Sequence, residues 1–307
     1  MARCFVTRRI PGPALDRLAG AHEVEVWPDR LPPTAEELRE HAAGVEGLLA
    51  LLTDTVDEAL LEAAPELRAI SNYAVGTDNV DLEAAGRRGI PVGNTPDVLT
   101  DATADLAFAL LLALARRLAE GERDVREGQW VTFEPDRALG AEVTGATLGI
   151  VGFGRIGRAV ARRAEGFGME VLHTARSGGG PLGELLERSD FISLHCPLTE
   201  DTRHLIGEDA LARMKPTARL VNTARGPIVD PAALERALHS GAIAGAALDV
   251  TEPEPLPADH PLLRAPNLLV VPHIGSATVR TRHRMSEMAV DNLLAGLAGE
   301  PMPHQAT

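Results

Sequence analysis

Short apolar runs and amphipathic stretches alternate along the chain. In the first third, the apolar runs have the length of strands and fall at 3–7, 23–27, 47–52, 68–74 and 90–94. One of the amphipathic segments between them begins at Thr34, and Glu37 follows three residues later, which predicts a helix with a capping box. Strands alternating with helices predict a small α/β domain with a parallel sheet.

A more strongly apolar segment follows, and then the alternation restarts. The composition predicts one long helix over 101–121, and the polar stretch 122–145 is expected to be an irregular interface arm. From residue 146, six near-continuous apolar runs indicate a second parallel sheet, covered on both faces. The last amphipathic helix, 277–299, is expected to pack back on the first domain. The predicted domains are therefore 1–98 plus 280–307, and 99–279.

Composition and charge narrow the class of protein. The 307 residues suit two domains, and the net charge of −14 argues against nucleic acid or an anionic membrane as a partner. The longest apolar run, 106–115, is shorter than the roughly 18–20 residues that span a bilayer. Cys4 and Cys196 lack metal-ligand spacing, so we expect reduced thiols, no metal site and a cytoplasmic location.

The stretch GIVGFGRIG (149–157) places Gly152, Gly154 and Gly157 between a predicted strand and a predicted helix. In a dinucleotide fingerprint, the first glycine permits a tight turn and the second lets the pyrophosphate approach the backbone. The third lets helix and strand pack closely, while the helix N-terminus supplies amide groups to the phosphates. The spacing and its β/α context therefore predict a dinucleotide-binding domain.

The position of the ribose-binding acid is unusual. About 20 residues after such a fingerprint an acid normally ends the next strand, but this chain has Ala175 and Arg176 there. Glu170 begins that strand instead of ending it. Arginine can bind a 2′-phosphate through charge-assisted hydrogen bonds, so the sequence favours NADP and leaves NAD possible. A solvent-facing or adenine-stacking Arg176 is the alternative.

Polar side chains follow three of the later predicted strands. Arg225 follows RLVNTA, Asp249 and Glu254 follow GAALDV, and His273 follows LLVVP. Open α/β sheets bind their ligands at the carboxyl ends of strands. A histidine can transfer a proton near neutral pH, a carboxylate can orient it, and an arginine can bind a carboxylate in bidentate fashion. With a nicotinamide, these groups suit hydride transfer between 2-oxo and 2-hydroxy acids.

The motifs resemble those of a known family, the D-isomer-specific 2-hydroxyacid dehydrogenases, over essentially the whole chain. They are NYAVGTDNVDL (72–82), GFGRIGRAVA (152–161), HCPLTEDTRHLI (195–206), NTARGPIVD (222–230), LDVTEPEPL (248–256) and PHIGSAT (272–278). Within the family, the first motif and the segment 92–112 most resemble glyoxylate/hydroxypyruvate reductases.

The resemblance implies roles for individual residues. It makes Arg225, Glu254 and His273 catalytic, with Glu252 a nearby acid outside the pair, and it assigns the substrate carboxylate to the amides of Val75 and Gly76. Further implied cofactor contacts are Thr103, Arg155, Ile156, Cys196, Pro197, Ala224 and Asp249. It also implies a Rossmann domain inserted into a smaller flavodoxin-like substrate domain, both doubly wound. A homodimer through the helix near 101–121 and the segment 122–145 is expected.

The implied activity is reduction of glyoxylate or hydroxypyruvate by NAD(P)H. Alternatives within the family are 3-phosphoglycerate, D-lactate and phosphite dehydrogenases, and Glu254 disfavours formate dehydrogenase. A dinucleotide-sensing corepressor is the alternative outside the enzymes. The chain departs from the family pattern at one place that bears on the choice of NADP over NAD. After Arg176 only SGGGPL precedes the next helix, where relatives have a longer connection.

Overall fold

A computed structural model describes residues 1–306 and contains two compact units. The first comprises residues 1–99 and those from Ser276 onward, and the second comprises Thr100–Gly275. The chain thus leaves the first unit after Leu99, where the sequence predicted 98, and returns at Ser276, where it predicted 280. The assignment of substrate and cofactor to these units is taken up under the proposed function.

Twelve strands and eleven α-helices make up the two units within the described residues. The strands are β1 (Arg3–Val6), β2 (Glu23–Val26), β3 (Gly47–Ala50), β4 (Ala69–Asn72), β5 (Val92–Gly93), β6 (Thr147–Val151), β7 (Glu170–Ala175), β8 (Gly178–Gly179), β9 (Phe191–Leu194), β10 (Arg219–Asn222), β11 (Gly245–Leu248) and β12 (Leu268–Val270). The helices are α1 (Ala14–Ala21), α2 (Ala35–Ala42), α3 (Glu58–Ala63), α4 (Leu82–Arg87), α5 (Thr100–Ala115), α6 (Leu118–Arg126), α7 (Arg155–Glu165), α8 (Leu182–Arg188), α9 (Glu208–Arg213), α10 (Pro231–Ser240) and α11 (Val279–Ala298).

The first unit is built on a five-stranded parallel sheet with the order β2-β1-β3-β4-β5, the flavodoxin-like order. The predicted capping box is present at α2, because the Thr34 side chain accepts from the Glu37 amide and the Glu37 side chain accepts in return. As predicted, α11 packs on this unit. Its buried Met285, Ala289 and Leu293 share a hydrophobic cluster with residues of β1, β3 and β4.

The second unit holds a seven-stranded sheet with the order β12-β11-β10-β9-β6-β7-β8. All six strands predicted after residue 146 are present and parallel, which confirms the Rossmann-type prediction. The strand order reverses between β6 and β9, the switch point at which such sheets bind nucleotides. The short β8 was not predicted and runs antiparallel to β7.

The single helix predicted over 101–121 is wrong, because the chain breaks between α5 and α6. Arg117 adopts a left-handed backbone conformation with φ of 52°. The carbonyl of Ala115 instead accepts a hydrogen bond from the Ala141 amide at 2.8 Å, so a returning segment ends the helix. Gly140 permits this approach, since a Cβ there would lie 2.3 Å from the Ala115 oxygen.

Candidate active site

The three fingerprint glycines lie at the switch point, and their surroundings differ. Gly152 has φ of 95°, and a Cβ on it would lie 2.3 Å from the Cys196 nitrogen. A Cβ on Gly157 would lie 2.2 Å from the Gly152 oxygen, so helix α7 packs directly on the turn. A Cβ on Gly154, in contrast, meets no protein atom within 4 Å. The loop is therefore tight at its two ends and open at its centre.

The start of α7 suits an anion. The helix begins after Gly154, whose backbone is extended, and its first turn contains no acidic residue. The amide groups of a first helical turn have no partner within the helix and carry the positive end of its dipole. An anionic group over Gly154 would therefore face backbone amides and open space, which fits the pyrophosphate of a dinucleotide. Arg155 and Ile156, to which the resemblance assigns cofactor contacts, lie in this turn.

A row of polar residues crosses three neighbouring strand ends in the second unit. The pairing of β9, β10 and β11, continued by one residue, places His195, Thr223 and Asp249 side by side on the α5 side of the sheet. The Nδ1 of His195 and the Oγ1 of Thr223 are buried and have no hydrogen-bond partner among residues 1–306. Burial lowers the pKa of His195 to about 4, so its ring is neutral at pH 7.

Asp249 anchors the turn that carries His273. Its two carboxylate oxygens accept from the amides of Ile274 at 2.6 Å and Gly275 at 2.8 Å, and its carbonyl accepts from the His273 amide at 2.8 Å. Burial raises the pKa of Asp249, while the Ile274 amide opposes that shift. His273 itself is left-handed, with φ of 53°. That conformation costs a non-glycine residue about 1–2 kcal/mol, which these charge-assisted hydrogen bonds offset.

His273 and Glu254 form a hydrogen-bonded pair. The Nδ1 of His273 lies 2.5 Å from a Glu254 oxygen, and both side chains are partly exposed. The other Glu254 oxygen accepts from the Thr251 amide at 3.2 Å, which orients the carboxylate. Because Nδ1 faces Glu254, Nε2 is the ring nitrogen left to meet a reacting group. Glu252 is turned elsewhere and pairs with Arg203 and with His204 at 2.7 Å.

Arg225 lies in the turn after β10, at the strand end next to that of Asp249. Asn222 shapes its turn, since its Nδ2 donates to the Arg225 carbonyl at 2.8 Å and its Oδ1 accepts from the Ala224 amide at 3.0 Å. The next residue, Gly226, must lack a side chain, because a Cβ would lie 1.9 Å from the Thr251 oxygen. The Arg225 turn therefore packs on the backbone that leads to Glu254.

The remaining cofactor residues implied by the resemblance lie along the same carboxyl edge of the second sheet. Thr103, in the first turn of α5, and Asp249 both approach Gly275, where an added Cβ would lie 3.4 Å and 3.1 Å from their side-chain atoms. Cys196 and Pro197 follow β9, and Ala224 follows β10. Burial raises the pKa of the Cys196 thiol to about 11, so it is protonated and a poor nucleophile at pH 7.

Arg176 lies in the two-residue turn of the β7–β8 hairpin. The turn is closed by Gly180, whose amide donates to the His173 carbonyl at 2.9 Å, and by Gly179, where a Cβ would lie 2.4 Å from that oxygen. The short SGGG connection thus folds back on β7 instead of forming a longer helical link. Arg176 is exposed and has no ion pair or hydrogen bond within the described part of the chain.

Val75 and Gly76 lie in the loop after β4 of the first unit. The Val75 carbonyl accepts from the Nδ2 of Asn94 at 2.8 Å, and the Gly76 carbonyl accepts from the Nδ2 of Asn72 at 2.9 Å. Neither amide N–H has a hydrogen-bond acceptor within residues 1–306. The sequence did not predict a role for these two asparagines, although Asn72 opens a recognised motif. It also did not predict a role for His195 or Thr223.

The described residues contain neither a membrane span nor a cluster of metal ligands. Among residues 1–306 no helix is both long and apolar enough to cross a membrane. Within the same range, histidine, cysteine, aspartate and glutamate side chains do not form groups of three that could hold a metal ion.

Comparisons with known proteins identify the family. Residues 108–275 match the family model described as D-isomer specific 2-hydroxyacid dehydrogenase, NAD binding domain. A glyoxylate reductase of Korarchaeum cryptofilum is 52% identical over 314 residues, covering 98% of this chain and 95% of the relative.

Two solved structures support the same assignment. The TT0316 protein of Thermus thermophilus has a TM-score of 0.95 at 49% identity, covering 99% of this chain and 100% of that one. An NADPH-dependent glyoxylate/hydroxypyruvate reductase of Sinorhizobium meliloti, in complex with NADP and malonate, has a TM-score of 0.87 at 36% identity. That match covers 100% of this chain and 97% of the other. The chain therefore belongs to the D-isomer-specific 2-hydroxyacid dehydrogenase family, close to its glyoxylate reductases, and is a nicotinamide-dinucleotide-dependent oxidoreductase.

Proposed function

We propose that this enzyme reduces glyoxylate to glycolate and hydroxypyruvate to D-glycerate, with NADPH as the favoured reductant. The observation that carries the proposal is the His273–Glu254 pair at 2.5 Å, held on a turn that Asp249 anchors. The reaction needs a proton donor of this kind beside a dinucleotide site. The names of the Korarchaeum cryptofilum and Sinorhizobium meliloti relatives support the choice of substrate.

His273 is the proton donor in this proposal. The chemistry that a bound dihydronicotinamide would supply is a hydride for C2 of the oxo acid. The carbonyl oxygen gains negative charge as the hydride arrives, and His273 protonates it from Nε2 to give the hydroxyl group. Glu254 holds the ring through Nδ1, which fixes the orientation of Nε2 and stabilises the protonated ring. Water later returns the proton to the histidine.

The carboxylate of the oxo acid is bound by one side chain and by backbone amides. Arg225 can donate two hydrogen bonds to the carboxylate in bidentate fashion and polarise the adjacent carbonyl. Val75 and Gly76 offer N–H groups that have no protein acceptor within the described residues. In this proposal the unit containing Val75 and Gly76 is the substrate domain, and the unit containing the fingerprint is the cofactor domain.

The preference for NADPH rests on Arg176. Ala175 offers no carboxylate to repel a 2′-phosphate, and the exposed guanidinium of Arg176 follows it in the turn. Cys196, Pro197, Ala224 and Asp249 follow strands at the edge where the rest of the cofactor would be held, and Thr103 approaches that edge from α5.

The enzyme also forms a homodimer in this proposal, through an apolar arm that comprises residues 118–139. Six of the twelve large apolar side chains that are exposed within the described residues lie in this arm: Leu118, Val125, Trp130, Val131, Phe133 and Leu139. Such a concentration of exposed apolar groups marks a protein interface. The break at Arg117 replaces the long interface helix expected from the sequence with this arm, which includes α6.

The experiment that tests the activity measures kcat/KM for glyoxylate and hydroxypyruvate with NADPH and NADH, in the wild type and in Arg176→Ala. We expect the wild type to turn over both acids and to prefer NADPH. In the variant, kcat/KM for NADPH should fall about tenfold, whereas kcat/KM for NADH should not change. Arg264→Ala, another exposed arginine of the same unit, is the control and should leave both values unchanged. No turnover of either acid would overturn the proposed substrate class. An NADH preference in the wild type would overturn the cofactor assignment alone.

The oligomeric state is measured by light scattering after size-exclusion chromatography. The wild type should have twice the chain mass of 32.5 kDa, and the double variant Trp130→Ser/Phe133→Ser should be a monomer. The double variant Leu31→Ser/Val279→Ser, at exposed apolar residues outside the arm, should remain a dimer. A monomeric wild type would contradict the interface.

A further inference from the structure

Three consecutive carbonyl groups in the loop after β4 are held by donors from the protein. The carbonyls of residues 74, 75 and 76 accept from the Thr95 amide at 2.8 Å, from the Asn94 Nδ2 at 2.8 Å and from the Asn72 Nδ2 at 2.9 Å, respectively. Two of the three donors are therefore asparagine side chains, which lie at the ends of two different strands, β4 and β5.

A carbonyl held in this way fixes the direction of the next amide. In a trans peptide the C=O and the following N–H point in opposite directions. The N–H groups of Val75, Gly76 and Thr77 therefore point away from the three donors. None of these amides has an acceptor within the described residues. The loop is built so that its carbonyls are bound by the protein and its N–H groups are left for a ligand.

The two asparagines are themselves fixed. Asn72 is fully buried and also donates to the Oδ1 of Asn79 at 2.9 Å. The Nδ2 of Asn79 in turn donates to the carbonyls of Leu51 and Asp54, at the carboxyl end of β3. This network joins the loop to the neighbouring strand, so Asn72 has little freedom to move.

Asn94 is anchored through its backbone. Its amide donates to the His304 carbonyl at 3.0 Å, and its carbonyl accepts from the Nδ2 of Asn292 at 2.9 Å. The Oδ1 of Asn292 accepts from the His304 amide at 2.9 Å and closes the link. The residue that holds the Val75 carbonyl is thus tied to α11 and to the C-terminal segment.

We propose that Asn72 and Asn94 are positioning residues for carboxylate binding: they orient the Val75–Gly76 and Gly76–Thr77 peptide groups so that the N–H dipoles are preorganised for the substrate carboxylate. This inference rests on the proposed function of the loop and adds Thr77 as a third amide donor. Neutral amide side chains suit the task, because they donate to a carbonyl without bringing a negative charge near the bound anion. An aspartate at either position would lack the donor and would repel the carboxylate.

The test compares Asn94→Ala and Asn72→Ala with Thr34→Ala, which removes a hydrogen bond from the α2 cap of the same unit without touching the loop. For each protein, KM and kcat for glyoxylate, the Kd of NADPH and the Kd of oxalate with NADPH bound are measured. Oxalate is a carboxylate that cannot accept hydride, so it reports binding alone. Asn94 is only partly buried, so its variant is expected to fold even if the variant of the fully buried Asn72 does not.

We expect Asn94→Ala to raise both the KM for glyoxylate and the Kd of oxalate about tenfold. Its kcat should change less than about threefold and its Kd for NADPH should not change, because Asn94 contacts neither the proton-donor pair nor the fingerprint residues. Thr34→Ala should leave all four values unchanged. If Asn72 and Asn94 were merely structural, Asn72→Ala and Asn94→Ala would lower the amount of folded enzyme. The KM of the folded enzyme would then not rise while its kcat stayed the same.

Two results would overturn the inference. The first is an Asn94→Ala enzyme, with or without a folded Asn72→Ala, whose KM and oxalate Kd equal those of the wild type. The second is a wild type that does not bind oxalate at all. If the wild type binds oxalate but does not reduce glyoxylate, the proposed function fails. The oxalate Kd of the variants then decides the inference by itself: a tenfold rise supports it and equality overturns it.

Discussion

Two loops that follow strands of the two sheets are braced in opposite ways. In the first unit, neutral asparagine side chains donate to the carbonyls of Val75 and Gly76. In the second unit, the Asp249 carboxylate accepts from the amides of Ile274 and Gly275. The first set of hydrogen bonds holds carbonyls and leaves N–H groups available, whereas the second holds N–H groups and leaves the side chain of His273 partly exposed.

The difference follows from the group with which each loop would contact a ligand: backbone N–H groups in the first loop and a side chain in the second. A loop that binds an anion through its backbone must keep its N–H groups unpaired, so the protein supplies donors and no extra negative charge. A loop that displays a proton donor can give up its N–H groups, and a carboxylate is the strongest neutral-pH acceptor for them. The same carboxylate also compensates the left-handed backbone of His273.

Removing the displayed side chain is expected to have the largest effect. His273→Ala should lower kcat for glyoxylate by about 10³-fold, within the range known for loss of a general acid. The Kd of NADPH should stay within about twofold, since the backbone brace at Asp249 does not need the imidazole. Steady-state kinetics and fluorescence titration measure the two quantities. A variant that retains a tenth of the wild-type kcat would remove His273 from the proton transfer.

Weakening the brace in the second unit should have a smaller effect. Asp249→Asn replaces one acceptor oxygen by an NH₂ group, which then faces an amide N–H of the His273 turn. We expect kcat to fall about 10- to 100-fold, because one hydrogen bond to a charged group is lost and the ring is misplaced. The kinetic assay is the same one. An unchanged kcat would mean that the turn holds His273 without the carboxylate.

His195, at the same carboxyl edge of the second sheet, differs from the partly exposed His273 because its ring nitrogen Nδ1 is buried. Burial lowers the pKa of His195 from 6.5 to about 4, so the folded protein holds it neutral. Below pH 6.5 the unfolded chain binds a proton that the folded protein does not. This contribution to stability is therefore complete above pH 6.5 and is lost as the pH falls through 4. Allowing for partial exposure of the residue, it amounts to about 2 kcal/mol.

Urea unfolding of the apoprotein between pH 7 and pH 4 measures this loss. Between pH 7 and pH 4, the free energy of unfolding of His195→Asn should fall by about 2 kcal/mol less than that of the wild type. If the free energy of unfolding fell equally with pH in the wild type and the variant, the His195 ring would be accessible to protons in the folded state.

The sequence predicted most of the fold because the signals were local. Apolar runs of strand length located the six parallel strands of the second unit, and the Thr34–Glu37 spacing located a helix start. The break at Arg117 was missed because it depends on a tertiary contact, the Ala141 amide on the Ala115 carbonyl. Hydrophobic pattern alone continues the helix through that point. The β8 strand was missed because two glycines carry no strand signal.

The candidate site shows the same division. Arg225, Glu254 and His273 each follow a recognisable strand, so sequence could bring them to one edge of one sheet. The choice of Glu254 over Glu252 rested on the resemblance, and the structure turns Glu252 toward Arg203 and His204. The braces escaped notice because an asparagine or aspartate that holds a backbone group has no sequence pattern of its own. Only the distances to the held carbonyl or amide identify it.

The most direct test of the account compares two carboxylates two residues apart in the sequence. Glu254→Gln and Glu252→Gln are matched in chemistry, but only Glu254 contacts His273. We predict that Glu254→Gln lowers kcat/KM for glyoxylate about 100-fold and that Glu252→Gln changes it less than about twofold, at pH 7 with saturating NADPH. Equal losses in the two variants, or a larger loss at Glu252, would contradict the assignment of the proton-donor pair.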